Sequence, residues 1–118
     1  MAASMLSHQG ILPAPRIATA VNTLEQGWLV LPALGEPRQV IQAEAAAEAA
    51  LGFIREGDVF WSHSGSGDID TAHVSWFIAG TLPEWQGTPL ALVVALEEKD
   101  SAFAEKIGQT LLSEILNP

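Results

Sequence analysis

Residues 59–81 read VFWSHSGSGDIDTAHVSWFIAGT, and the reading of this stretch decides the fold. Val59, Phe60 and Trp61 form one β-branched and aromatic run, and Val74 to Ala79 form another, so the two ends predict adjacent antiparallel strands. Between them Ser, Gly, Asp and His crowd together, a composition that predicts a turn. His63, Ser64, Gly65, Ser66, Gly67, Asp68, Asp70 and His73 thus bring most of the chain's imidazoles, its hydroxyls next to glycine and its paired carboxylates into one loop and strand end, where a rigid scaffold presents binding groups.

Downstream, Ser75 to Gly80 is apolar on both faces, and Leu90 to Leu96 sets a large face (Leu90, Leu92, Val94, Leu96) against a small one (Ala91, Val93, Ala95). Strands of this kind belong in a sheet covered on both sides. Pro83-Glu84-Trp85-Gln86-Gly87 joins them as a hairpin loop, and Asp100 or Ser101 caps a final helix. In that helix Phe103, Ile107, Leu111 and Ile115 recur every four residues and predict the buried stripe, flanked by Ala104, Gly108 and Leu112. Gly108 on the buried side predicts a close approach to the sheet.

Upstream, residues 39–55 (QVIQAEAAAEAALGFIR) predict the clearest helix. Glu44 and Glu48 share one side, and Val40, Ala47, Leu51 and Ile54 another. Met1 to His8 is helix-forming up to Gln9-Gly10, and without a capping residue it reads as the last turns of a longer helix. Ile11 to Pro15 is a stiff connector, Arg16 to Val21 a short edge strand, Asn22 to Gly27 a turn, Trp28 to Leu31 a strand, and Pro32 to Pro37 a loop. The order predicts an α+β layer structure: one domain or domain fragment over residues 1–118, with an antiparallel sheet of about three main strands packed with helices.

The 118 residues suffice for one core and leave no room for a second domain. Charged residues make up 16% against 48% hydrophobic, lean for a free-standing domain whose surface is about a quarter to a third charged, so some apolar surface is expected to meet a partner. The net charge is −9, and the five basic residues are scattered, which argues against nucleic acid because counterion release needs a basic face. There is no Cys, hence no disulfide or thiolate chemistry. No apolar run approaches the roughly 18 residues of a spanning helix, so the chain itself is expected to be soluble, without a targeting segment.

Several chemistries can be drawn from the central stretch. His63, Asp68, Asp70 and His73 are ordinary ligands for zinc or manganese, but their spacing matches no compact ligand motif, and the turn composition accounts for them without a metal. Ser64-Gly65-Ser66-Gly67 has the glycines of a phosphate cradle, yet no Lys follows and Asp68 and Asp70 would repel the anion. A Ser-His-Asp hydrolase lacks both Gly-x-Ser-x-Gly and the helix a nucleophile elbow needs. Trp28, Trp61, Trp76 and Trp85 read as core and edge packing. No cofactor is expected.

His63-Ser64-Gly65-Ser66, followed by Ser75-Trp76-Phe77-Ile78-Ala79-Gly80, resembles the C-terminal part of the penicillin-binding protein transpeptidase domain. That family has a Lys-Thr/Ser-Gly-Thr motif on a sheet strand, then an Ala/Ser-Trp-Phe-hydrophobic-Gly strand, an apolar strand ending in Glu, and a closing helix. Leu90 to Glu97 and Ala104 to Leu116 are similar to the later parts, and Met1 to Val21 to an upstream helix and Pro-Arg segment, so the resemblance covers nearly the whole chain. It implies the C-terminal subregion of a penicillin-binding-protein/β-lactamase-like transpeptidase fold.

It also implies a substrate-binding site at His63, Ser64, Gly65 and Ser66. Ser64 would offer its hydroxyl to a substrate or β-lactam carboxylate, Gly65 would let the ligand backbone approach, and the Ser66 N–H would be an oxyanion-hole donor. His63 departs from the pattern, because imidazole does not carry the permanent charge of the family's Lys. The nucleophile's Ser-x-x-Lys and the second motif Ser-x-Asn are both missing, so no catalytic residue is expected in this chain, and alone it should be inactive. The parent would be extracytoplasmic and membrane-anchored, acting on a peptidoglycan stem peptide. Partners implied are the remainder of that domain or a second copy of this chain, as a two-fold homodimer. The alternative is a small non-catalytic interaction or ligand-binding module.

Overall fold

The structure is a computed structural model that describes residues 2–16, 18–98 and 100–116. In chain order the first half holds helix α1 (Ala2–Ser7), strands β1 (Ile11–Leu12), β2 (Ala20–Thr23), β3 (Gly27–Val30) and β4 (Arg38–Gln39), and helix α2 (Ala43–Gly52). The second half holds β5 (Phe60–Ile69), β6 (Ala72–Thr81), β7 (Ala91–Leu96) and helix α3 (Ser101–Leu116). The main sheet is antiparallel in the order β5-β6-β7, beside two small two-stranded sheets, β1-β4 and β2-β3. The class is mixed, with small antiparallel sheets and helices, compatible with α+β.

The largest departure from expectation is in the central stretch, where the segment read as a turn is strand. The β5–β6 ladder is continuous from Phe60↔Thr81 to Ile69↔Ala72, and the true turn is Asp70-Thr71. Asp70 adopts the left-handed region at φ 53°, which Asp tolerates better than most residues. Gly65 serves packing, since a Cβ there would meet the Trp76 ring at 2.5 Å. A strand glycine is what lets the cross-strand indole lie flat over the backbone.

Strand alternation gives the sheet two different faces. On one, Phe60, Phe77 and Ala79 form the core with Ala104, Leu112 and Leu116 of α3, joined by partly buried Leu92, Val94 and Leu96. Asp100 caps α3, its Oδ1 accepting the Ala102 N–H at 3.0 Å; the Ser101 side chain lies outside the described residues. The expected helix stripe is displaced. Ala104, Gly108 and Leu112 pack inward, whereas Phe103, Leu111 and Ile115 are 53%, 41% and 50% exposed. Close approach explains the shift: only small side chains fit where Phe77 fills the gap beneath Gly108.

The other face is covered at one end only. Trp61 is buried there, and its indole N–H donates to Ser7 Oγ of α1 at 2.9 Å. Toward β7 the face opens, with Val93 56% exposed, so the expectation of a sheet covered on both sides fails. Among the described residues, the outer edge of β7 has no strand partner.

The expected long helix is also shorter. Gln39 pairs with Ile11, and the Gly10 carbonyl accepts the N–H groups of Val40 and Ile41 at 3.0 and 3.3 Å. These bonds hold residues 38–41 extended, so α2 starts at Ala43 and buries Ala46 and Ala50 instead of Val40 and Leu51. The strand expected over Arg16 to Val21 lies at Ala20–Thr23, with Ile17, like Met1, outside the described residues. Trp28 on the β2–β3 hairpin is 73% exposed, contrary to its expected role in packing. No helix among the described residues is long and apolar enough to cross a membrane.

Candidate functional site

His63, Ser64, Gly65 and Ser66 are consecutive on β5, an edge strand, and consecutive side chains on a strand point to opposite faces. His63 is exposed on the α2 side, its ring centroid 5.4 Å from those of both Phe53 and Trp76. Gly65 lies under Trp76 on the same face. Ser64 is half-buried on the α3 side, and Ser66 is exposed. The histidine and the first serine are therefore separated by the sheet.

The edge itself carries donors. Where the α2–β5 connection touches β5, the Ser62 N–H donates outward to the Phe53 carbonyl at 3.0 Å. Period-two alternation then points the Ser64 and Ser66 N–H groups to the same side, away from β6, along an edge the main sheet leaves open.

Ser64 has two charged partners that the sequence reading did not single out. Its Oγ accepts from Arg55 Nη2 at 3.1 Å and donates to Glu105 Oε2 at 3.0 Å. Arg55 Nη1 closes the ring with an ion pair to Glu105 Oε1. Gln109, one turn further along α3, donates to the same Oε1 at 3.2 Å. The hydrogen bond from Arg55 is the main cause holding the Glu105 carboxyl below the ordinary range; Ser64 and the Arg55 charge assist, against burial, which pushes it up. Arg55 and Glu105 are 50 residues apart in sequence, so no local pattern announces the pair.

The remaining candidates do not converge on Ser64. His73 Nδ1 lies 2.7 Å from Asp68 Oδ1 across the β5–β6 ladder, close to the hairpin end, while His63 sits on the opposite face. Among the described residues no group of three His, Asp or Glu is placed to hold a metal ion. A serine hydrolase would need an imidazole on its hydroxyl, and Ser64 has a guanidinium and a carboxylate.

No protein family, curated protein or solved structure matches the chain.

Proposed function

We propose that this chain is the C-terminal part of a penicillin-binding-protein-like transpeptidase domain, carrying a variant third motif at His63-Ser64-Gly65-Ser66 and no nucleophile. The observation that carries this reading is the placement of the motif on an open-edged strand followed, in order, by the Ser75-to-Gly80 strand, the strand leading to Glu97 and a closing helix. Outward N–H groups at Ser64 and Ser66 fit a ligand laid along that edge, with the Ser66 N–H as an oxyanion donor. His63, on the far face from Ser64, would flank the ligand.

Acylation needs an activated serine, and no serine here has Lys three residues later. The isolated chain is therefore expected to form no covalent adduct with a fluorescent penicillin. Intact-protein mass spectrometry checks this, and a stoichiometric mass shift mapping to any serine of the chain would overturn the reading. A coding segment upstream that carries Ser-x-x-Lys and Ser-x-Asn would support it.

The open face at Val93 and the exposed stripe Phe103, Leu111 and Ile115 favour a chain that meets more protein, either the rest of the domain or a second copy. The fully buried Phe77 favours the second reading, a self-sufficient binding module. Light scattering over a dilution series separates the two. The fragment reading expects self-association, and a folded, well-protected monomer at low micromolar concentration favours the module.

A further inference from the structure

Glu105 is held as a bound ligand would be. Its carboxylate takes the Arg55 guanidinium and the Gln109 amide on Oε1 and the Ser64 hydroxyl on Oε2. A guanidinium beside a hydroxyl is a general solution for recognising a carboxylate, because charge-assisted donors match its paired oxygens. The cluster is reachable from solvent, with the Arg55 and Glu105 side chains 42% and 27% exposed. Arg55 also supplies, on the Ser64 side of the sheet, a permanent cation where His63 at the motif's first position has none.

We propose that Arg55, Ser64 and Gln109 form a carboxylate-binding site occupied in this structure by the chain's own Glu105, which an incoming ligand carboxylate must displace. The inference rests on the reading of β5 as a ligand-binding strand, and it adds the cation and the internal competitor. Glu105 sits near the start of α3 on the same side as Leu112, two turns on, at the β5 margin of the docked face, and its side chain is 27% exposed, so an incoming carboxylate can reach it from the solvent side while the helix stays docked. The competitor is tethered, so it acts at an effective concentration of roughly millimolar or above, and a free ligand must outbid it. Removing Glu105 therefore empties the site and leaves Arg55 without its anion.

The test uses the full chain, isotope-labelled, as wild type, Glu105→Ala, Glu105→Gln and Glu105→Ala/Arg55→Ala. Each is titrated with acetate, with N-acetyl-alanyl-alanine as the D,D and L,L forms, and with the D,D peptide's C-terminal amide, following the Ser64 and Arg55 signals by NMR. Glu105→Ala is expected to bind the free-acid peptide at least about tenfold more tightly than wild type. The double variant is expected to lose that gain, and the amide to show none. Glu105→Gln keeps the side chain's size and one acceptor, so it carries the same expectation if the alanine variant does not fold. No gain in either variant, or equal gain for acid and amide, overturns the proposal. Binding of acetate alone, without the peptides, supports the carboxylate site and counts against the transpeptidase reading. A gain that is equal for D,D and L,L peptides does the same.

Discussion

Phe77→Ala is expected to cost about 3 to 5 kcal/mol, a large fraction of a total stability of about 5 to 15 kcal/mol and enough to unfold a large share of the molecules at the lower end of that range. Phe77 is fully buried on the central strand, with Val94 beside it in the ladder and Ala104 and Leu112 of α3 in the same cluster. The ring fills the space left by Gly108, where the helix has no side chain to collapse into the gap. Most of its loss should therefore remain as a cavity, which places the cost at the upper end for an aromatic truncation. Urea denaturation of the variant and wild type at equal concentration measures it. A loss below about 1 kcal/mol would mean that α3 does not dock as described.

Gly108→Val is expected to destabilise from the opposite side of the same contact. On an exposed helix, replacing an interior glycine gains up to about 1 kcal/mol of propensity. Here a Cβ would stand 2.1 Å from Phe77 Cδ1 and 2.4 Å from Cε1, separations no packed side chain adopts. The helix must shift or the ring must leave its rotamer, and overpacking of this kind costs about 1 to 3 kcal/mol, more than the propensity returns. The two positions touch, so their effects should not add. Gly108→Val combined with Phe77→Leu is expected to be less destabilised than the sum of the single variants, as read from the same urea midpoints and slopes. Strict additivity would show that the clash is relieved elsewhere.

Both predictions depend on a helix face that periodicity alone misassigns. In α3 the apolar positions form two adjacent stripes, and the one of Phe103, Ile107, Leu111 and Ile115 carries the larger side chains. It is the smaller stripe, Ala104, Gly108 and Leu112, that meets the sheet. Size explains the outcome, because Phe77 rises from the strand and a second large side chain opposite it would hold the helix away. The same logic applies to α2, where Ala46 and Ala50 are buried and Leu51 is 48% exposed. A hydrophobicity pattern reports which faces are apolar, and contact distance decides which apolar face is used.

The central strands were legible in part for a related reason. Phe60-Trp61 and Val74 to Ala79 announce themselves by residue type, and the large face of the Leu90-to-Leu96 run points into the core as its alternation predicts. The Ser/Gly segment between them misled because glycine and serine are turn formers in isolation. In the hairpin, β6 supplies a partner for each residue from Phe60 to Ile69, and Trp76 supplies the bulk that Gly65 lacks. Strand pairing overrides weak local preference when the neighbouring strand is strongly β-forming.

Local pattern was enough to place the two apolar runs at Val59 to Trp61 and Val74 to Ala79 as antiparallel neighbours, the Asp100 cap and the close approach at Gly108. Each of these is encoded within a few residues, by side-chain shape, by period, or by a polar atom within reach of its own backbone. The ring of Ser64, Arg55 and Glu105 could not be read in that way. It joins the end of the α2 connection, the middle of β5 and the first turns of α3, and only the docking of α3 against the sheet brings a carboxylate to a guanidinium 50 residues away. Two opposite charges far apart in a chain carry no mark of each other. Their pairing is a consequence of packing, set by which helix face fits against Phe77, and so it became visible only once the core was in place.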